Sequence, residues 1–134
     1  MPKKTAWNWV DENEKEIIKI SNSAWEYAEV GLQETKTSKL FADWIEKKGF
    51  KLERGVADMP TAFVATWSNG DGPTIGLMGE LDALAGLSQK AVPYKEPIKE
   101  GAPGHGCGHN MHGTTALTAA VALKSAMEDK KIKG

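Results

Sequence analysis

Apolar residues recur three and four positions apart in two stretches of the first third of the chain. Residues 11–30 and residues 37–48 each place these side chains on one face, which predicts two amphipathic helices. Asp11 is expected to cap the first helix, and Gly31 to end it. Gly49 follows the second stretch as its stop signal.

Three shorter runs, residues 50–54, 61–67 and 74–81, predict an antiparallel meander because clusters of turn-forming residues separate them. Apolar residues in the third run do not alternate with polar ones, so we expect a strand buried on both faces. Glu80 and Asp82 stand two positions apart at its end. In a strand, side chains at that spacing point to the same side.

Residues 83–104 form a long connection that contains glycine and proline, and an alanine-rich helix is predicted over residues 113–127. Connections of this length without structure of their own are usually functional or disordered. The order of elements indicates an α/β sandwich. In such folds, sites form where loops leave the carboxyl ends of strands.

Composition narrows the functional classes. Seventeen basic and eighteen acidic side chains give a net charge of −1, so nucleic acid and anionic membranes are not expected partners. The single cysteine cannot form an internal disulfide and fits a reducing compartment such as the cytoplasm. No apolar run follows Lys3 and Lys4, and none approaches transmembrane length, so neither a secretory signal nor a membrane span is expected.

All three histidines and the only cysteine lie within residues 104–113, separated by glycines. Thiolate and imidazole are preferred ligands of zinc and related metals. In an extended segment Cys107 and His109 would face the same way and could reach one metal ion or two close ones. A structural metal site normally needs four ligands, so an ion held here alone would be bound loosely.

The same residues permit a second chemistry, in which Cys107 is a nucleophile and His105, His109 or His112 is its base. A helix that begins just after Cys107 would stabilise its thiolate. We favour metal binding, since a nucleophile and its base usually come from separate parts of a fold.

Two motifs resemble a known family. Residues 79–84, Gly-Glu-Leu-Asp-Ala-Leu, and residues 104–110, Gly-His-Gly-Cys-Gly-His-Asn, are similar to the di-metal amidohydrolases of the aminoacylase/carboxypeptidase type. Residues 60–65 and 86–89 look like its aminobenzoyl-glutamate utilisation protein B group in particular. The resemblance covers nearly the whole chain. It implies part of a zinc-peptidase-like αβα sandwich with a mixed sheet, two N-terminal helices, a β-meander and a C-terminal helix.

The resemblance also implies roles for individual residues. Cys107 matches the metal-bridging cysteine, and His109 matches the adjacent metal ligand. Glu80 matches an acidic residue that replaces a histidine ligand in related branches, and Asp82 the supporting catalytic aspartate behind the metals. The implied cofactor is one or two divalent ions, zinc or manganese, incompletely coordinated. His112 matches no ligand of the family.

Two further positions depart from the family pattern. Ala85 stands where the family usually has proline after Asp-Ala-Leu, which would loosen that turn. Asn110 replaces an aspartate common in the wider branch, although asparagine suits the aminobenzoyl-glutamate group.

Several family features have no match in this sequence: the catalytic glutamate pair, further histidine ligands, and the lid or dimerisation domain. The pair Glu128 and Asp129 lies at a helix end and does not match the catalytic glutamates. We therefore expect residues 1–134 to form a single incomplete catalytic-type domain, the N-terminal segment of such an enzyme.

The implied reaction is hydrolysis of N-acyl or aroyl amino acids such as p-aminobenzoyl-glutamate, with no activity of this chain alone. The alternative is a non-enzymatic remnant that binds metal or forms oligomers and is completed by a partner chain. An open sheet edge at residues 74–81 would favour a homo-oligomer.

Overall fold

The computed structural model describes residues 1–134 and has an α/β architecture of four α-helices and a two-stranded antiparallel sheet. In chain order the elements are α1 (Pro2–Glu12), α2 (Glu14–Tyr27), α3 (Thr35–Lys47), β1 (Lys51–Arg54), a short 3-10 helix (Val56–Asp58), β2 (Phe63–Thr66) and α4 (His109–Lys130).

The first predicted helix, residues 11–30, corresponds to α2, whereas α1 before it was not predicted, and Asn13 separates the two helices. The side-chain amide of Asn13 donates to the carbonyl of Trp9 at 2.7 Å, and the same carbonyl accepts from the backbone N–H of Asn13 at 3.2 Å. Asp11 lies inside α1 and caps nothing, so its predicted role is wrong. Helix α2 ends at Ala28, which adopts the left-handed conformation (φ 43°), and not at Gly31.

The prediction for the second helix and the hairpin is confirmed. Helix α3 begins two residues before the predicted start, and Gly49 follows its end with a φ of +88°. Strands β1 and β2 pair in antiparallel register from Lys51 with Thr66 to Arg54 with Phe63.

The predicted third strand is absent. Residues 74–81 form no regular element, and their backbone makes no hydrogen bond to other backbone groups. The run is exposed, with 87% of Met78 open to solvent, so the expectation of burial on both faces is also wrong. A strand forms only beside a partner, and the β1–β2 hairpin does not pair with this run. The three-stranded meander and the mixed sheet are therefore not present.

Helix α4 is the centre of the packing and contacts α1, α2 and α3. Its Val121 joins Ile20, Trp44 and Ile45 in the buried core. It starts at His109, four residues before the predicted start. Helices α1–α4 each lack the combination of length and hydropathy that a membrane-spanning helix requires.

Candidate metal centre

The long connection predicted over residues 83–104 is closed at its base. Leu84 and Gly104 exchange both backbone hydrogen bonds, each 3.0 Å long. A side chain at Gly104 would lie 2.1 Å from the carbonyl oxygen of Leu87, so only glycine fits there. This closure brings the residues before the connection beside those that follow it, and it joins the two motifs of the sequence.

Two glycines bring the acidic segment against the start of α4. A Cβ atom on Gly79 would lie 2.8 Å from Cα of Gly113, and a Cβ on Gly113 would lie 2.8 Å from the carbonyl oxygen of Glu80. Side chains at either position would push the two backbones apart. This close approach puts Glu80 and Asp82 within reach of the histidines on the first turn of α4.

His109 is the most buried side chain of the centre, with only 13% of it exposed. Its Nδ1 donates to Asp82 Oδ1 at 2.9 Å, because a carboxylate oxygen can only accept. Its Nε2 faces Glu80 Oε2 at 3.2 Å, in a contact that lacks the alignment of a hydrogen bond. Asp82 thus fixes the orientation of the ring and leaves Nε2 directed toward a second carboxylate.

Glu80 Oε2 also accepts a hydrogen bond from His112 Nδ1 at 3.0 Å. His109 and His112 are three residues apart on one helix, so their rings lie on the same face with centroids 6.3 Å apart. The family motifs assign no role to His112. The three-residue spacing between His109 and His112 places both rings on one helical face, but this follows only if α4 is known to begin at His109.

Cys107 does not join this cluster through any hydrogen bond. It lies in a turn before α4 and is exposed. Gly108, with a φ of +82°, reverses the backbone there and starts the helix. Cys107 and His109 are therefore not on one extended segment, and the prediction that they face the same way on that basis is wrong. No hydrogen bond links the thiol to His105, His109 or His112, so a nucleophile–base pair is not formed.

His105 holds the Cys/His segment against α2, a role that the sequence did not reveal. Its Nε2 donates to the carbonyl of Ala24 at 3.0 Å, and its Nδ1 accepts from the backbone N–H of Asn110 at 3.3 Å. Burial lowers the pKa of the His105 imidazole, more than the bond to Ala24 raises it. The neutral ring is also the form that can accept at Nδ1.

The donors present fit part of a divalent metal site. Imidazole nitrogen and carboxylate oxygen suit zinc and manganese, and His109 Nε2 and Glu80 supply one of each. Asp82 has the position of a carboxylate that orients a metal-binding histidine. No group of three or more histidine, cysteine, aspartate or glutamate side chains is arranged to hold an ion. The cluster therefore supplies two metal donors, His109 Nε2 and Glu80, and one carboxylate, Asp82, that orients the histidine.

No protein-family model matches the chain. The chain is 38% identical over 120 residues to a p-aminobenzoyl-glutamate hydrolase subunit of Escherichia coli (strain K12), which is 89% of this chain and 25% of that protein. It is 36% identical over 117 residues to thermostable carboxypeptidase 2 of Saccharolobus solfataricus, covering 87% of this chain and 29% of the relative. A plant relative, the IAA-amino acid hydrolase ILR1-like 4 of Arabidopsis thaliana, is 34% identical over 113 residues, which is 84% of this chain and 25% of that protein.

The chain thus spans between 25% and 29% of the length of these relatives. The matched residues include most of the chain, and the relatives are named as hydrolases, carboxypeptidases, a deacetylase and a putative amidohydrolase. The resemblance inferred from the two sequence motifs is confirmed: over most of its length the chain is similar to proteins of the amidohydrolase and carboxypeptidase family.

Proposed function

We propose that this chain supplies part of the metal centre of an amidohydrolase that cleaves N-acyl or aroyl amino acids, with p-aminobenzoyl-glutamate as the favoured substrate. The observation that carries the proposal is the arrangement of His109 between Asp82 and Glu80. The substrate follows from the similarity to the bacterial hydrolase named for it.

Each residue has a defined task in this proposal. Asp82 holds the ring of His109 through Nδ1, so that Nε2 and Glu80 serve as donors to a zinc or manganese ion. Cys107, exposed at the start of α4, becomes a further donor when the turn around it closes on the ion. When bound, the metal polarises the amide carbonyl and lowers the pKa of a water molecule.

The chain alone is expected to bind metal weakly and to leave the amide intact. No three donors converge in this chain, whereas a catalytic zinc site uses three protein ligands. The carboxylates of the cluster are engaged by histidines and are not free to serve as a general base.

The test is a zinc and manganese titration by isothermal calorimetry, followed by a hydrolysis assay with p-aminobenzoyl-glutamate. We expect weak binding that His109→Leu removes and no hydrolysis. Thr115→Ala, an exposed change on the same helix, is the matched control and should bind like the wild type. Hydrolysis that a chelator stops would refute the claim of inactivity, and wild-type protein that binds neither ion would refute the metal centre.

A second candidate function is self-association through residues 74–81. This run is exposed and apolar, and its backbone has no partner within the chain. Its only charge is Glu80, and antiparallel pairing of two copies places the two carboxylates at opposite ends of the new ladder. Exposed apolar segments with unpaired backbone groups can pair with other chains.

Leu77→Lys tests this candidate because it puts a charge in the middle of the run. Ile18→Lys on α2 is the control, since 49% of Ile18 and 48% of Leu77 are exposed. We expect sedimentation to show dimers for the wild type and for the control, and monomers for Leu77→Lys. A wild type that stays monomeric at high concentration would exclude the pairing, as would equal dissociation of both variants.

A further inference from the structure

We propose that His112 is a positioning residue for the metal centre, and that it holds the carboxylate of Glu80 where His109 Nε2 can share a metal ion with it. This inference rests on the proposed function and gives a role to a residue that matched no ligand.

The first observation concerns one oxygen atom. Glu80 Oε2 lies 3.0 Å from His112 Nδ1 and 3.2 Å from His109 Nε2. An ionised carboxylate can only accept, so Nδ1 of His112 is the donor. The contact with His109 is not an aligned hydrogen bond, which leaves His112 as the hydrogen-bonding partner of Glu80.

The hydrogen bond from His112 matters because the Glu80 side chain is exposed. The Glu80 side chain is 53% exposed and follows a segment without backbone hydrogen bonds, so packing alone does not restrain it. His112 stands on the first turn of α4, whose backbone also carries His109. One rigid helix therefore fixes both the ligand nitrogen and the group that aims the carboxylate at it.

Two substitutions distinguish positioning from direct ligation. Nδ1 of His112 donates to Glu80 and carries a hydrogen, so ligation by His112 would have to use Nε2 of its ring. An asparagine at this position offers an amide N–H near the place of Nδ1 but is a poor ligand for zinc. His112→Asn should therefore preserve positioning, while His112→Leu should remove it.

The first measurement is the Zn²⁺ dissociation constant of the full chain and both variants. Loss of a group that orients a metal ligand typically weakens binding by about 10–100-fold. We expect a loss in that range for His112→Leu and an affinity close to the wild type for His112→Asn. Equal binding by all three proteins would overturn the proposal, and so would an equal loss in both variants, which would indicate a ligand.

The second measurement uses the metal-free proteins and separates this proposal from the proposed function. Long-range ¹⁵N–¹H NMR spectra of the histidine rings at one fixed pH should show a hydrogen on Nδ1 of His112. The His109 Nε2 signal should shift in His112→Leu and stay in place in His112→Asn. If these spectra behave as expected but the wild type binds no metal, the metal centre is wrong and the positioning stands. An unchanged His109 signal in His112→Leu would overturn the positioning whatever the metal does.

Discussion

Two carboxylates act as anchors at the scale of single residues. Asp82 fixes the ring of His109, and Glu29 fixes the start of α3. Glu29 accepts from the backbone N–H groups of Lys36 and Thr37 at 2.9–3.1 Å, so it satisfies donors that a helix start leaves free. Burial alone would raise the pKa of Glu29, but the N–H groups of Thr37 and Lys36 and nearby hydroxyls lower it below its ordinary value of 4.5.

Removing the Asp82 carboxylate is expected to weaken zinc binding. Asp82→Ala leaves His109 Nδ1 without its acceptor, and we expect a loss of about 10–100-fold. Asp82→Asn keeps an oxygen that can accept from Nδ1 and should lose less. Competition with a chromogenic chelator measures both constants, and unchanged affinity in Asp82→Ala would show that the ring needs no anchor.

Glu29→Ala is expected to destabilise the fold by about 0.5–2 kcal/mol near neutral pH, the usual range for the loss of a helix cap. The native pKa of Glu29 is lowered, so its contribution is present above the unfolded value of 4.5 and is lost as the pH falls through the native pKa. Urea unfolding of both proteins should give a difference that shrinks in acid. A difference independent of pH would show that charge plays no part.

At the scale of elements, the site depends on how closely the acidic segment approaches α4. A Cβ atom at Gly113 would lie 2.6 Å from Phe41 Cε2 and 2.8 Å from the carbonyl oxygen of Glu80. Phe41 is fully buried and cannot move into solvent. The glycine therefore links the core of α3 to the position of the metal donors.

Gly113→Ala is expected to cost about 1–3 kcal/mol of folding free energy, because overpacking outweighs the better helix propensity of alanine. Thr115→Ala on the exposed side of α4 should change stability by no more than about 0.5 kcal/mol. Urea unfolding compares the two. If Gly113→Ala were as stable as the wild type, the close contact would not restrain the segment.

The whole molecule shows which features depend on local sequence and which do not. The periodicity of α3 and the turn signals of the β1–β2 hairpin lie within each element, and they were predicted well. The helix boundary at Asn13 was missed, because apolar periodicity does not register where one helix ends and the next begins. Residues 74–81 have the composition of a strand, but strand formation depends on a partner that no local pattern supplies.

In the candidate site, too, some features follow from local sequence and others depend on distant contacts. Glu80, Asp82 and His109 were expected to be functional, and the fold brings them together. The roles of His105 and His112 were missed because each depends on a group more than thirty positions away. The placement of Cys107 was missed because Gly108 starts α4 earlier than the alanine-rich pattern suggests.

The backbone bridge between Leu84 and Gly104 has a consequence for how such a chain can diversify. Its two hydrogen bonds close the loop between Leu84 and Gly104 and separate this loop from the metal donors that precede and follow it in the chain. The cost of closing a longer loop grows only slowly with its length. The exposed tip around Pro93 and Tyr94 should therefore tolerate inserted or exchanged residues while the donors keep their places. The surface of this loop can change its shape and chemistry independently of the metal centre.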